Sequence, residues 1–193
     1  MATMSVGDVM VPDVLTCWTI QHADAWAKAE GRGVYREDGR TWPPEYRWFR
    51  DQLRARTHAS QGRFPVWATM DRPDLRSSGW RRHGERCVRV AFHVSRKQAM
   101  LVDTVGVFEV LNRQPFTWSK REDAAWERRV GGVLRWDLLT QAQQREVEDT
   151  WLRAFELRRP KGSHSWIGAL EVDVLVAEVR MSDVVRVTPF VAR

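Results

Sequence analysis

The chain has 193 residues, 43% hydrophobic and 29% charged, with 12 Gly and 8 Pro, a balance that excludes disordered, collagenous and coiled-coil classes and fits one packed domain. The formal net charge is +6, and of the 31 basic residues only Lys28, Lys97, Lys120 and Lys161 are lysines, an arginine excess that suits phosphate recognition but also follows from GC-rich codon usage. Two cysteines, Cys17 and Cys87, exclude a disulfide framework, and with no apolar run of membrane length and no basic leader a cytoplasmic location is expected.

Residues 1–13 read as a flexible tail ahead of a single domain spanning 14–193. Residues 14–21 (VLTCWTIQ) are dense in β-branched and aromatic side chains and predict a strand, followed by a short helix over 22–30 closed by Gly31 and Gly33. Pro43 and Pro44 open a second helix that runs to about residue 57. On it Tyr46, Phe49 and Leu53 form a packing stripe, while Arg47, Arg50 and Arg54 repeat the spacing one position along, as a solvated or anion-binding stripe. Residues 64–69 (FPVWAT) predict a short strand, and 71–85 a loop carrying Arg72, Arg76, Arg81 and Arg82.

Residues 86–94 alternate, with Val88, Val90, Phe92 and Val94 on one face and Arg89 and His93 on the other, which predicts a half-buried strand. A strand over 100–103 and helices over 105–112 and 122–129 follow. Thr140 and Gln143 have capping-box spacing, and Val147, Trp151, Ala154 and Phe155 extend the apolar face of a helix expected to end near Arg158. The chain closes with strands over 170–176 and 184–190. Helices and strands alternate without βαβ regularity, so the expected class is α+β, with a mixed or mostly antiparallel central sheet flanked by several helices.

Three groups of residues could carry chemistry. Glu171 and Asp173 share one face of the 170–176 strand, where a carboxylate could bind a ribose hydroxyl or stabilise an oxocarbenium ion; the same alternation fits two side chains facing water. Arg72, Asp74 and Arg76 follow Trp67 closely, a grouping suited to a phosphate or stacked base, or to an exposed loop tied by an ion pair. Trp26, Trp48, Trp126 and Trp151 fall in helical segments at core-packing positions, and Trp18, Trp67 and the loop residue Trp80 are the candidate ligand contacts. The five histidines show no HxH or HExxH spacing, so no metal is expected, and P-loop, GxGxxG and GxSxG patterns are absent. The adjacent Ser163, His164 and Ser165 are poorly placed for a hydrolytic dyad.

The fragments TCWTIQ, AWAKAEGRGVY, FPVWA, RPDLR, HVSRKQAMLVD, EDTWLRAFEL and EVDVLVAEVRMSDVVRVTPF, in this order, resemble the bacterial DUF3841 family over nearly the whole chain. A more distant likeness is to ADP-ribosyltransferase-like and RNA 2′-phosphotransferase-like domains, which begin with a polar first strand, a short helix and a glycine, and end with an acidic strand. That likeness implies a nucleotide-like ligand, NAD as cosubstrate and Glu171 as the catalytic carboxylate. Thr19, Gln21, Tyr35, Trp67, Arg72, Asp74 and Arg76 would line the cleft. The first strand departs from the pattern, because the basic residue expected there is replaced by Gln21 and the neighbouring His22 faces the other way. Alternative roles are a non-enzymatic RNA- or DNA-binding module working through its arginines, or one partner of a toxin–antitoxin or defence pair.

Overall fold

The structure is a computed structural model that describes residues 4–6, 9–37, 43, 45–57, 64–77, 81–133, 135–157 and 170–193. The fold is α+β and divides into two compact units. One comprises residues 1–4, 11–100 and 173–193, the other 5–10 and 101–172. Within the stretch expected as a tail, β1 (Met4–Val6) pairs with β2 (Val9–Val11).

In the first unit, β3 (Val14–His22) leads into α1 (Ala23–Arg32), which ends where Gly33 takes φ 72°. A left-handed residue lets the Gly33 N–H turn back to the last helical carbonyls, a closure that glycine makes without a Cβ penalty. Gly31 lies inside the helix rather than beyond it. The short β4 (Val34–Tyr35) pairs with β9 (Val179–Arg180). Helix α2 (Glu45–Arg56) buries Phe49 and Leu53 completely, as its apolar stripe requires. Then come β5 (Val66–Thr69), β6 (Arg86–Ser95) and β7 (Ala99–Asp103), the last being the strand in which the chain passes into the second unit. After its return, β8 (Val172–Val176) and β10 (Val184–Val191) complete a six-stranded sheet in the order β10-β6-β3-β5-β8-β7. The pairings β10–β6, β6–β3, β3–β5 and β5–β8 are antiparallel.

Strand β6 departs from the half-buried expectation. It runs between β3 and β10, and every residue from Cys87 to Phe92 is buried, including Arg89 on the face read as polar. Alternation marks which side chains share a face, but a central strand has both faces covered when loops fold over it. Here Pro73 and Trp18 take that place for Arg89.

The second unit is mostly helical. Asp103 caps α3 (Thr104–Leu111) by accepting from the Val105 N–H, and Ser119 caps α4 (Lys120–Arg129). Helix α5 (Gln141–Trp151) starts with the expected capping box, Thr140 and Gln143 satisfying each other's backbone groups. It stops earlier than its apolar periodicity suggests. The chain tightens into a 3-10 turn over Leu152–Phe155, and Leu157 turns it at φ 44°. Gly106 makes room for that turn: a Cβ there would lie 2.4 Å from the Ala154 Cβ. No helix among the described residues is long and apolar enough to cross a membrane.

Candidate functional site

Strands β3 and β5 meet at one residue pair, Trp18 opposite Thr69. Past that pair no further ladder position joins them, and the Thr19 hydroxyl, rather than a main-chain N–H, donates to the Trp67 carbonyl at 2.7 Å. A cleft of about 320 Å³ opens at this point. Trp18, Tyr46 and Trp67 form its aromatic walls, and Glu37, Arg81 and Asp173 supply charge.

Each wall is held by packing that the sequence dictates. The apolar stripe of α2 places Tyr46 and Phe49 edge-on against Trp67, at ring separations of 5.7 Å and 5.1 Å. Burial, with the Glu37 and Glu45 carboxylates, pushes the Tyr46 phenol above its ordinary pKa, so this wall stays neutral. The indole Nε1 of Trp67 is buried without a hydrogen-bond partner among the described residues. An unmet donor of this kind carries a penalty of about 1–3 kcal/mol that an acceptor from a bound molecule would relieve.

The floor is a chain of hydrogen bonds through buried side chains. Gln21 Nε2 donates to Thr19 Oγ1 at 2.8 Å, and the Tyr35 hydroxyl lies 2.7 Å from both Gln21 Oε1 and Glu37 Oε1. One phenolic proton thus stands between an amide oxygen and a carboxylate, a geometry able to hold or pass a proton at Glu37. Trp26 stacks on Tyr35 at 5.6 Å and fixes the ring, while Arg81 Nη2 donates to the Ile20 carbonyl at 3.0 Å. Gln21, Glu37 and Arg81 also border a second hollow, of about 600 Å³, which reaches Lys28, Arg32 and Arg36 as well as Asp24. Arg36 is tied there to Glu178 at 2.8 Å.

The sequence candidates divide. Thr19, Gln21, Tyr35 and Trp67 come together in the cleft and its hydrogen-bonded floor. Arg72 lies against the Trp18 ring at 5.7 Å. Asp74 and Arg76 bind each other at the surface, where the Arg76 guanidinium and backbone N–H hold the Asp74 carboxyl at about 2. Neither lines the cleft. Glu171 precedes β8 and is exposed; its carbonyl accepts from the Thr104 N–H at 3.0 Å. The strand begins two residues later than its alternation suggested, and its first inward carboxylate is Asp173, set opposite Thr69 and lining the cleft. Ser78, Gly79, Trp80 and the segment with Ser163, His164 and Ser165 lie outside the described residues.

Sequence reasoning gave no role to Glu37, although its place two residues beyond Tyr35 in extended chain puts both on one side. It also had no way to see that the β3–β6 register sets His22 opposite Cys87. With Glu85 these bring a nitrogen, a carboxylate oxygen and a thiol within 4.8 Å of one another, a grouping invisible to spacing rules within one segment. The Arg81 guanidinium adds positive charge beside Cys87, while burial pushes the thiol up.

An α+β protein with a polar, aromatic-walled cleft at an opening in its sheet is the class that fold and site define. The model of DUF3841, a domain of unknown function, matches residues 16–173, and the chain belongs to that family. No curated protein and no solved structure matches it.

Proposed function

We propose that the cleft binds a nucleotide-like ligand, NAD, and that the protein is an ADP-ribosyltransferase-like enzyme. The observation that carries this reading is the meeting, at the gap between β3 and β5, of three aromatic walls with two carboxylates. Aromatic faces suit a planar ring, and a carboxylate suits ribose hydroxyls and the positive charge that develops at the anomeric carbon. The adjoining hollow, with Lys28, Arg32 and Arg81, suits a pyrophosphate. In the reaction the bond from ribose C1′ to the nicotinamide nitrogen breaks, nicotinamide departs with the bonding electron pair, and a nucleophile of a nucleic acid or protein acceptor takes its place. The role first given to Glu171 passes to Asp173, with Glu37 positioned to take up the acceptor's proton.

The test is a thermal-shift titration with NAD beside an assay of nicotinamide release. NAD should raise the midpoint, and the rise should grow with the logarithm of its concentration above the dissociation constant, as for any ligand of the native state. Asp173→Asn should abolish release while leaving the unliganded midpoint near that of the wild type, and Glu171→Gln should leave release unchanged. A wild-type chain that shows neither a shift nor release overturns the reading.

A further inference from the structure

A second centre lies around Arg89, on the sheet face that carries Trp18. Arg89 is 5% exposed. Its Nη1 donates to the Pro73 carbonyl at 2.7 Å and its guanidinium stands 5.4 Å from the Trp18 ring, yet its Nε is buried with no partner among the described residues. Directly across the β6–β10 ladder is Thr188, whose hydroxyl is buried and equally without a partner. Two buried polar groups without a partner among the described residues therefore belong to one register position of the ladder.

More positive charge gathers there. Arg72 lies against the same Trp18 ring at 5.7 Å. Desolvation, then the Arg72 and Arg186 charges, depress the Arg89 guanidinium, with Asp74 the carboxylate that opposes them. Asp74 is itself grasped by Arg76 through Nε and Nη2. A buried cation among like charges is costly unless an anion compensates it, and guanidinium forks with a hydroxyl are the donors that match a tetrahedral oxyanion.

We propose that Arg89, Arg72, Arg186 and Thr188 form a phosphate-binding site. The site needs nothing from the NAD reading, because its ligand is a phosphoryl group, whether free phosphate or the terminal phosphate of a nucleotide. Arg89 and Thr188 supply the inner donors, and Arg72 and Arg186, both exposed, close over the anion from the rim.

Isothermal titration calorimetry on the full chain, at fixed ionic strength made up with chloride, tests it with inorganic phosphate and with ADP as separate titrants. Saturable binding of at least one is expected. Arg186→Gln and Thr188→Val, which alter one exposed and one small side chain, should each weaken it by roughly tenfold, the scale of one lost charge-assisted hydrogen bond. Their melting temperatures, measured without titrant, should match the wild type, which separates a lost ligand contact from a lost fold. Asp173→Asn should leave the affinity unchanged, so that failure of the cleft reading and failure of this one give different results. Tight phosphate binding that ADP does not improve assigns the site to the free anion; ADP binding that phosphate displaces assigns it to a nucleotide terminus. Absence of saturable binding by either, or affinities untouched in both rim and ladder variants, overturns the site.

Discussion

The Tyr35 hydroxyl is the hinge of the cleft's floor, because Gln21, Glu37 and, through Gln21, Thr19 all depend on where it stands. Tyr35→Phe keeps the Trp26 stack and removes only the oxygen. Urea denaturation should show a loss of about 1–2 kcal/mol, the usual cost of breaking a buried hydrogen bond and stranding its partners. Thr19→Val should cost a similar amount by leaving Gln21 Nε2 without its acceptor. Cys17 tests burial in a different way. Desolvation pushes its thiol from 9.0 to about 12, so the native chain keeps a proton that the unfolded chain loses once pH passes 9. Stability should therefore fall between pH 9 and about 12, and Cys17→Ser or Cys17→Ala should remove that part of the slope. Native Cys17 should resist alkylation at pH 8 that proceeds readily in denaturant. At this scale the sequence exposed what period and type reveal: Thr19 and Gln21 on one face, Trp67 near polar groups. Glu37 and Arg81 reach the cleft through tertiary folding of irregular segments, and no local pattern encodes that.

Helix α3 packs through its one glycine. Gly106→Ala should improve helix propensity by about 1 kcal/mol. Its new Cβ would nevertheless meet the Ala154 Cβ at 2.4 Å and Phe116 Cε1 at 3.1 Å. Overpacking of this kind costs about 1–3 kcal/mol or more, so the net change should be destabilising, and Ala154→Gly in the same chain should recover much of it. The same helix carries Glu109, which burial, aided by the Asp123 charge, raises from 4.5 to about 7. Between those pH values the native chain holds a proton the unfolded chain has released, so stability should decline as pH rises from 4.5 and level off above about 7. The amplitude should be about 1–2 kcal/mol once solvent screening is allowed for, and Glu109→Gln should flatten it in urea titrations at stepped pH. Elements with strong periodicity and capping chemistry were legible: β3, α2 and the start of α5 fall where their residues say. The end of α5 was not, because Trp151, Ala154 and Phe155 keep an apolar spacing through a 3-10 turn as well as through a helix. β6 was legible as a strand, but its second buried face depends on Pro73 and Trp18, far away in sequence.

Across the whole molecule, a net charge of +6 with arginine as the dominant cation makes some attraction to polyanions unavoidable. Attraction of that origin should fade with salt at a log–log slope of about −0.7 to −0.9 per phosphate contacted. Binding held by an aromatic-walled cleft should change far less. Anisotropy of a labelled mixed-sequence RNA at two salt concentrations, beside the NAD midpoint shift at the same two, separates them. A salt-sensitive RNA complex with no NAD shift would move the assignment to a nucleic-acid module working through its arginines. The single paired position joining β3 to β5 also bears on mechanics. A ladder resists being sheared in proportion to the bonds that cross it, so the sheet is stiff within β10–β6–β3 and within β5–β8 and compliant along the line between them. A molecule lodged in that line acts as a rivet, and in native-state hydrogen exchange its arrival should slow the amides on both banks together, including those it never touches.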